Sequence, residues 1–450
     1  MLFDVKEFGA VGDGKSKDTQ AIQKAINECT KQGGGTVLVP AGEYLSGTIW
    51  LKDNVNLRLE AGATIKGSTD KADYNADDAF SQNCVFSREK VSGAHLIIAL
   101  EARNVSITGQ GTIHGNGNSF LEDKVLTALF HYRPLKDWRP AQMIYFCECE
   151  NVQVEGVCLL ESPYWTLFLH GCENVRIKSL RVKTDRLGTN GDGIDIDSCR
   201  NVVLSDCIIE TNDDSITLRG NSKTLKSDKV CENITISNCV LYPRACGIRL
   251  GVGNGGVRNA TISNIVINGT VGICAISRYS DSHPGPFIDN IRCDNFIIDA
   301  IVPFVLTTGY GCNQAVGNLY FSNIKATAQA ASYIGGTAEN PIRNIHFKNL
   351  EYVITGGKYN KADTPAPQDA WQNRSVYCSS ALGMPHGFFL ENTGNISFES
   401  CNIKWGDLNG VWERVFEGSN AELTFNNVDI EPHTGVKKTG SGLKLTIIRR

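Results

Sequence analysis

The chain has 450 residues, 41% hydrophobic and 20% charged, a globular balance that excludes wholesale disorder and allows a sizeable core. With 44 Lys and Arg against 48 Asp and Glu the net charge is -4, so there is no global positive field for nucleic acid or anionic membrane. The 16 cysteines have no paired CxxC spacing, which argues against structural zinc, and are too sparse for a disulfide scaffold.

The start, Met1-Leu2-Phe3-Asp4-Val5-Lys6, lacks the basic-then-apolar pattern of a secretory signal, and no apolar run approaches the roughly 18 residues of a spanning helix. The expectation is a cytoplasmic protein, or a secreted one if a leader has been removed. The first element expected is a helix with Asp18 as N-cap, running to about Gln32. Ala21, Ile22, Ala25, Ile26 and Cys29 fall on one face, and Gly33-Gly34-Gly35 ends it. Within a cap region of residues 1–50, this helix is expected to close an open end of the fold. Gly12-Asp13-Gly14 and the Gly33 triplet lack a Lys-Ser/Thr pair at phosphate-loop spacing and read as turns.

From Asn104 onward one phrase recurs: Asn, an aliphatic residue, a variable residue, another apolar residue. It stands at Asn104-Val105-Ser106-Ile107, Asn151-Val152-Gln153-Val154, Asn174-Val175-Arg176-Ile177, Asn201-Val202-Val203-Leu204 and Asn233-Ile234-Thr235-Ile236. It continues at Asn259, Asn290, Asn318, Asn344 and Asn395. Most steps are 23 to 32 residues, with two of 47 and 51 that are expected as double turns or turns with insertions. Such a period is a solenoid. Alternation such as Ile194/Ile196, Ile216/Leu218 and Ile248/Leu250 indicates strands rather than paired helices. The chain therefore reads as all-β, a right-handed parallel β-helix with an N-terminal capping helix, forming one domain over 1–450. Asn suits the bends because it tolerates left-handed backbone. Cys149-Glu150-Asn151, Cys172-Glu173-Asn174, Cys199-Arg200-Asn201 and Cys231-Glu232-Asn233 place four cysteines at one coil position. They are expected as a ladder of reduced core thiols, with disulfides as the alternative that their spacing of about 4.8 Å permits.

Residues 114–143, with Phe130, His131, Tyr132, Arg133 and Trp138, and 355–386, with Pro365, Pro367, Trp371 and His386, break the rhythm. Long loops on a solenoid wall a groove or pack down on it. Between them, two acidic phrases occupy neighbouring turns: Thr189-Asn190-Gly191-Asp192-Gly193-Ile194-Asp195-Ile196-Asp197 and Thr211-Asn212-Asp213-Asp214-Ser215-Ile216-Thr217-Leu218-Arg219. Aligning their inward apolar pairs sets Asp192 beside Asp214 and Asp213 beside Gly191. The same register lines Cys246 up with Asp214, Arg249 with Thr217 and Asp195, and Arg219 with Asp197 and His170. Crowded carboxyls split their pKa values, and an acid and a base about 6.5–9.5 Å apart are what inverting glycoside hydrolysis requires. Clustered carboxylates also suit calcium.

At these residues the chain resembles glycoside hydrolase family 28, the polygalacturonases and their relatives. The family's Asn-Thr-Asp-Gly phrase is similar to Asn190-Gly191-Asp192-Gly193, and its Asp-Asp pair to Asp213-Asp214, with Asp213 21 positions after Asp192. Arg139-Pro140, Ile144-Tyr145-Phe146, Cys149-Glu150-Asn151-Val152 and Ser162-Pro163-Tyr164-Trp165-Thr166 resemble the family's approach to its site. The resemblance implies Asp213 as general acid, Asp192 and Asp214 holding and activating water, no metal or other cofactor, and an oligosaccharide or polysaccharide partner. The implied activity is inverting hydrolysis of α-linked galacturonides in pectin-type oligosaccharides, on imported fragments.

Two phrases depart from the family pattern. Ala245-Cys246-Gly247 stands where Gly-His-Gly is usual, and Ala275-Ile276-Ser277, followed by Arg278-Tyr279, where Arg-Ile-Lys is usual. Arg249, Arg278 or Arg219 is then expected to take a substrate carboxylate, or the glycan is rhamnose-containing or neutral. Asn190, Asn212, His170, Asp195, Cys246 and Tyr310 complete the candidate substrate-binding set, Tyr310 as a stacking platform; His283 and His386 are weaker candidates. A β-helix polysaccharide lyase or epimerase and a non-catalytic glycan-binding solenoid are the competing classes.

Overall fold

The computed structural model describes residues 1–127, 131–278, 284–309, 311–356, 386–409, 412–431, 435 and 437–448. Phe130, Tyr279, His283, Tyr310 and nearly all of the expected loop 355–386, with Pro365, Pro367 and Trp371, lie outside the described residues. The chain divides into two compact units, Met1–Thr217 with Ser222–Ile234, and Leu218–Asn221 with Thr235–Arg450. Right-handed parallel β-helix is the architecture.

In the first unit each coil supplies three strands. One stack runs Ile97–Leu100, Ile144–Cys147, Leu167–His170 and Ile194–Asp197, with Ile97, Ile144, Leu167 and Ile194 in line. A second aligns Val105, Val152, Val175 and Val202, and a third Ile113, Leu159, Val182 and Ile209. All of these twelve side chains are buried. Each contributes about 1.5–3 kcal/mol of hydrophobic stabilisation if removed fully from water.

The corner before the second stack explains the repeated Asn. Asn54, Asn104, Asn151, Asn174, Asn201 and Asn233 all have φ between 53° and 60°, the left-handed region that most side chains avoid. Each amide also donates to the preceding one: Asn104 to Asn54 at 2.8 Å, Asn151 to Asn104 at 3.0 Å, Asn174 to Asn151 at 3.3 Å, Asn201 to Asn174 at 3.1 Å and Asn233 to Asn201 at 3.2 Å. The direct bond from Asn151 to Asn104 makes the 47-residue step a single turn with an insertion. Asn395 donating to Asn344 at 2.8 Å does the same for the 51-residue step. Double turns are thereby excluded at both places.

The cysteine ladder consists of reduced thiols, and no cysteine among the described residues forms a disulfide. Cys149, Cys172, Cys199 and Cys231 point their sulfurs at the carbonyls of Ala99, Phe146, Leu169 and Ile196, one coil earlier, at 3.2 to 3.4 Å. They act as small core residues with a weak donor.

The capping helix spans Thr19–Lys31 and buries Ala21, Ile22, Ala25, Ile26 and Cys29. Asp18 departs from its expected role, because its side chain makes no capping bond to the helix. Its carboxylate instead accepts from the Val11 and Gly12 amides at 2.7 and 3.0 Å. Those amides sit in a turn with no carbonyl of their own to bond, and the buried carboxylate satisfies both.

The second unit stacks longer strands, Gly256–Ile276, Phe287–Thr307, Gly317–Ala328, Ile342–Gly356, His386–Glu399 and Arg414–Asn426. Phe321, Phe347, Phe398 and Phe425 follow one another in register. The Phe321–Phe347 and Phe347–Phe398 rings stack at 5.0 and 4.8 Å. A second Asn ladder, unread in the sequence, runs through Asn238, Asn264 and Asn295, with bonds of 3.0 and 2.8 Å and positive φ at each. Its signal was present as Asn-x4-Asn in Asn259 to Asn264, Asn290 to Asn295, Asn318 to Asn323 and Asn344 to Asn349.

Candidate active site

The acidic phrases are held together by backbone. Gly193 N donates to Asp214 O at 2.9 Å and Ile194 N to Ser215 O at 3.0 Å, the pattern of a parallel pair with Ile194 opposite Ile216. Asp192 therefore sits across from Asp214, as the aligned apolar pairs predict. Asp192 is 5% exposed, whereas Asp213 and Asp214 are half-buried and reach solvent. Glycine flanks Asp192 on both sides, and at 193 the obstacle to a side chain is backbone. A Cβ on Gly193 would meet Ser215 O at 2.5 Å, and one on Gly191 would meet the Asn212 amide at 2.6 Å.

Asn212 stitches the two turns. Its backbone N donates to Thr184 Oγ1 at 2.9 Å, its Nδ2 to Asp185 O at 2.7 Å, and its Oδ1 accepts from Gly191 N at 2.7 Å. Thr211 Oγ1 donates to Asp213 O at 3.0 Å, which fixes the peptide that follows Asp213. With Asn212 only 9% exposed, its amide is committed to the protein.

Beneath the first phrase lies Arg139, which is fully buried. Its Nη1 donates to Pro163 O at 3.0 Å and to Thr189 O at 2.6 Å, and its Nη2 to Asn190 Oδ1 at 2.9 Å. The guanidinium lies 4.7 Å from the Tyr164 ring centroid, and Tyr164 Oη donates to Glu89 Oε2 at 2.6 Å. Burial pulls the Arg139 pKa down to about 10, against the charges of Tyr164, Glu89, Asp213 and Asp192, which favour the cation. It stays protonated at neutral pH. Asn190, at φ 55°, takes the left-handed bend just ahead of Gly191 and Asp192. Arg139 was legible only as part of a family phrase; the signal for a role was a cation five positions before Ile144–Cys147, a strand of wholly buried residues.

On the outer face of the first stack, His170 lies in register with Asp197, and Phe168 with Asp195. Both aspartates are 0% exposed and His170 is 3% exposed. His170 Nδ1 is 2.8 Å from Tyr145 Oη, and Tyr145 stacks on Phe168 at 5.1 Å. Phe80, Phe86, Leu100 and Leu225 pack over Tyr145, Tyr164, Trp165 and Phe168. Lys229 Nζ donates to Gly171 O at 2.7 Å, pinning residues 222–229 over the same face. In the loop 114–143, Arg133 N donates to Leu187 O at 2.7 Å and Nη1 to Asn118 Oδ1 at 2.7 Å, anchoring that insertion to the loop that leads into Asp192. Trp138 packs edge-on against Phe120 at 5.1 Å and Tyr74 at 6.2 Å, so this aromatic packs the insertion down.

Arg219, Cys246, Arg249 and Arg278 belong to the second unit. Cys246 opens the strand Cys246–Gly253 and is 6% exposed. Arg249 is 5% exposed, pairs in register with Cys274 and donates to its sulfur at 3.1 Å. Arg219 and Arg278 are half-buried, and Arg278 Nη1 donates to Gly311 O. His386 opens the strand His386–Glu399 at 7% exposure, with its ring stacked against Phe389.

Comparison with known proteins adds a family to this geometry. The model of the family described as Glycosyl hydrolases family 28 matches residues 29–370. A probable polygalacturonase of Vitis vinifera is 31% identical over 219 residues, which is 47% of this chain and 43% of that protein. An endo-polygalacturonase of Pectobacterium parmentieri is 26% identical over 351 residues, covering 75% of this chain and 84% of that one. Among solved structures, a family 28 exopolygalacturonase of Yersinia enterocolitica has the same fold, with a TM-score of 0.70 at 19% identity over 99% of this chain and 79% of its own.

Proposed function

Because the chain belongs to glycosyl hydrolases family 28 and is a glycoside hydrolase, we propose that it cleaves α-linked galacturonate chains of pectin with inversion, using Asp213, Asp192 and Asp214. The observation that carries this is the backbone pairing of Gly193 with Asp214, which gathers a buried carboxyl and two solvent-reaching ones at one edge of a sheet. Asp213, on the exposed side, delivers its proton to the leaving glycosidic oxygen as the C1–O bond breaks. A water held by Asp192 and Asp214 attacks C1 from the opposite face and gives its proton to that pair. Asn212 and the glycines at 191 and 193 hold these groups in place and carry no proton.

The aromatic cover over the first stack supports attack at a chain end. Tyr145 and Phe168, on the coils before Asp195, are 3% and 6% exposed, so a glycan has no open strand face to follow in that direction. Early digestion products are then short oligomers of one size, with slow loss of viscosity; a ladder of sizes would instead mark internal cleavage.

The decisive experiment is time-resolved proton NMR of the anomeric region with short α-1,4-galacturonide oligomers. β-configured reducing ends are expected before mutarotation. New α-ends first, or products with an ultraviolet-absorbing double bond, would overturn inverting hydrolysis, the latter in favour of a lyase.

A further inference from the structure

We infer that Arg139 is the positioning residue of the reaction, setting the direction of the Asp192 carboxyl from below; this rests on the assignment of Asp192 to the water-activating pair. Three features converge on it. First, its two terminal nitrogens bond to consecutive residues of the acidic phrase, Thr189 O at 2.6 Å and Asn190 Oδ1 at 2.9 Å, two positions ahead of Asp192. Asn190 adopts left-handed backbone, a costly conformation that its surroundings must hold, and the guanidinium fork holds both its neighbour's carbonyl and its side chain. Second, the same Nη1 reaches Pro163 O at 3.0 Å, and Thr166 N bonds Asp192 O at 2.9 Å, so residues 162–166 meet the phrase directly after its bend and through Arg139 before it. Third, the backbone of Arg139 is itself fixed: its N donates to Lys90 O at 3.1 Å and its carbonyl accepts from Ser92 N at 3.1 Å.

The geometry is that of a strut. Glu89 accepts from Tyr164, the Tyr164 ring lies under the guanidinium, and the guanidinium meets the loop. A buried cation with this set of partners is costly to assemble and is not needed to bury the surrounding apolar side chains. Two of its three side-chain bonds end on the loop that carries Asp192. Lysine in its place keeps the charge and loses the fork, because a single ammonium cannot hold Thr189 O and Asn190 Oδ1 in one plane.

The test compares wild type, Arg139→Lys and Asn190→Gly, the last keeping left-handed backbone without the side-chain acceptor. Hydrogen exchange is followed by mass spectrometry, and kcat and KM are measured on trigalacturonate. In both variants the peptide over residues 186–193 is expected to exchange about tenfold faster while the strand Glu173–Lys178 is unchanged. In both, kcat is expected to fall about 10- to 100-fold with KM within about threefold. Unchanged exchange at 186–193, or a fall in KM affinity with kcat intact, overturns the inference, as does faster exchange spread evenly over the coils. If Arg139→Lys does not fold, Asn190→Gly decides alone on the same criteria. If wild type turns over no galacturonide while 186–193 alone responds to both substitutions, the strut stands and the substrate assignment fails.

Discussion

The amide of Gly193 donates to the carbonyl of Asp214 at 2.9 Å, and that bond sets the offset between the two acidic turns. A methyl group at Gly193 would press on Ser215 O at 2.5 Å and on Ile209 Cγ2 at 2.7 Å, one of them backbone. Gly193→Ala is therefore expected to cost about 1–3 kcal/mol of stability through overpacking. Because the strain falls on the Asp192–Asp214 pairing, kcat is expected to drop further than stability alone explains. Urea titration and steady-state kinetics on the same preparation separate the two; normal kcat in a destabilised variant would show that the offset is not critical.

Asp213 is half-buried and reaches solvent from a turn in which Thr211 Oγ1 restrains its backbone carbonyl. Asp213→Asn is expected to lower kcat by about 10²- to 10⁴-fold, the usual worth of a general acid, with the melting temperature nearly unchanged. A substrate carrying a good leaving group needs less protonation, so it is expected to recover part of the loss in Asp213→Asn and none in Asp192→Asn. Equal recovery in both variants would contradict the assignment of roles.

Asn201 pairs with Asn174 below it and Asn233 above it at 3.1 and 3.2 Å, at φ 57°. Asn201→Ala loses both amide bonds and strains the bend, for an expected loss of about 1–3 kcal/mol. Asn201→Gly relieves the strain but not the bonds and is expected to cost less. Denaturant midpoints of the two variants, in that order, check the ladder. Equal midpoints would mean that the hydrogen bonds, not the backbone angle, carry the effect.

The fold was legible because its period is written in residue types with one physical job each. Asn marks a left-handed corner, Cys a small buried thiol, and Ile-x-Ile an inward pair, so Asn151, Cys172 and Ile194 locate their coils without any structure. The facing of Asp192 and Asp214 followed from the same pairs. What escaped was set by contacts far apart in the chain. Arg139 reads as a charged residue in a loop until Pro163, Thr189 and Tyr164 close around it. Asp18 looks like a helix cap until the Val11–Gly12 turn claims its carboxylate. The 47-residue step reads equally as two turns or one, because sequence distance does not say which Asn lies beside Asn104.

His95 lends the protein a dependence on pH that does not involve the carboxylates. It is fully buried, with Nδ1 2.9 Å from Gln142 O and Nε2 3.0 Å from Asn83 Oδ1, packed against Tyr145 at 4.9 Å. Burial pushes its pKa down from 6.5 to about 4, outweighing the Gln142 carbonyl, which favours the cation. The unfolded chain thus takes up a proton near pH 6.5, where the folded protein does not. Stability from this residue is complete above that pH and declines as pH falls toward 4. The expected loss is about 2 kcal/mol between pH 7 and pH 5, growing to about 3 kcal/mol by pH 4. His95→Gln keeps a polar side chain and removes the titration, so its stability is expected to fall less over the same interval even if it starts lower. Urea titrations of both proteins at pH 7 and pH 5 measure the difference, and NMR of labelled histidines gives the pKa itself. A His95 resonance titrating above 6.5 would mean that its two oxygen partners dominate, and the pH effect on stability would then reverse in sign.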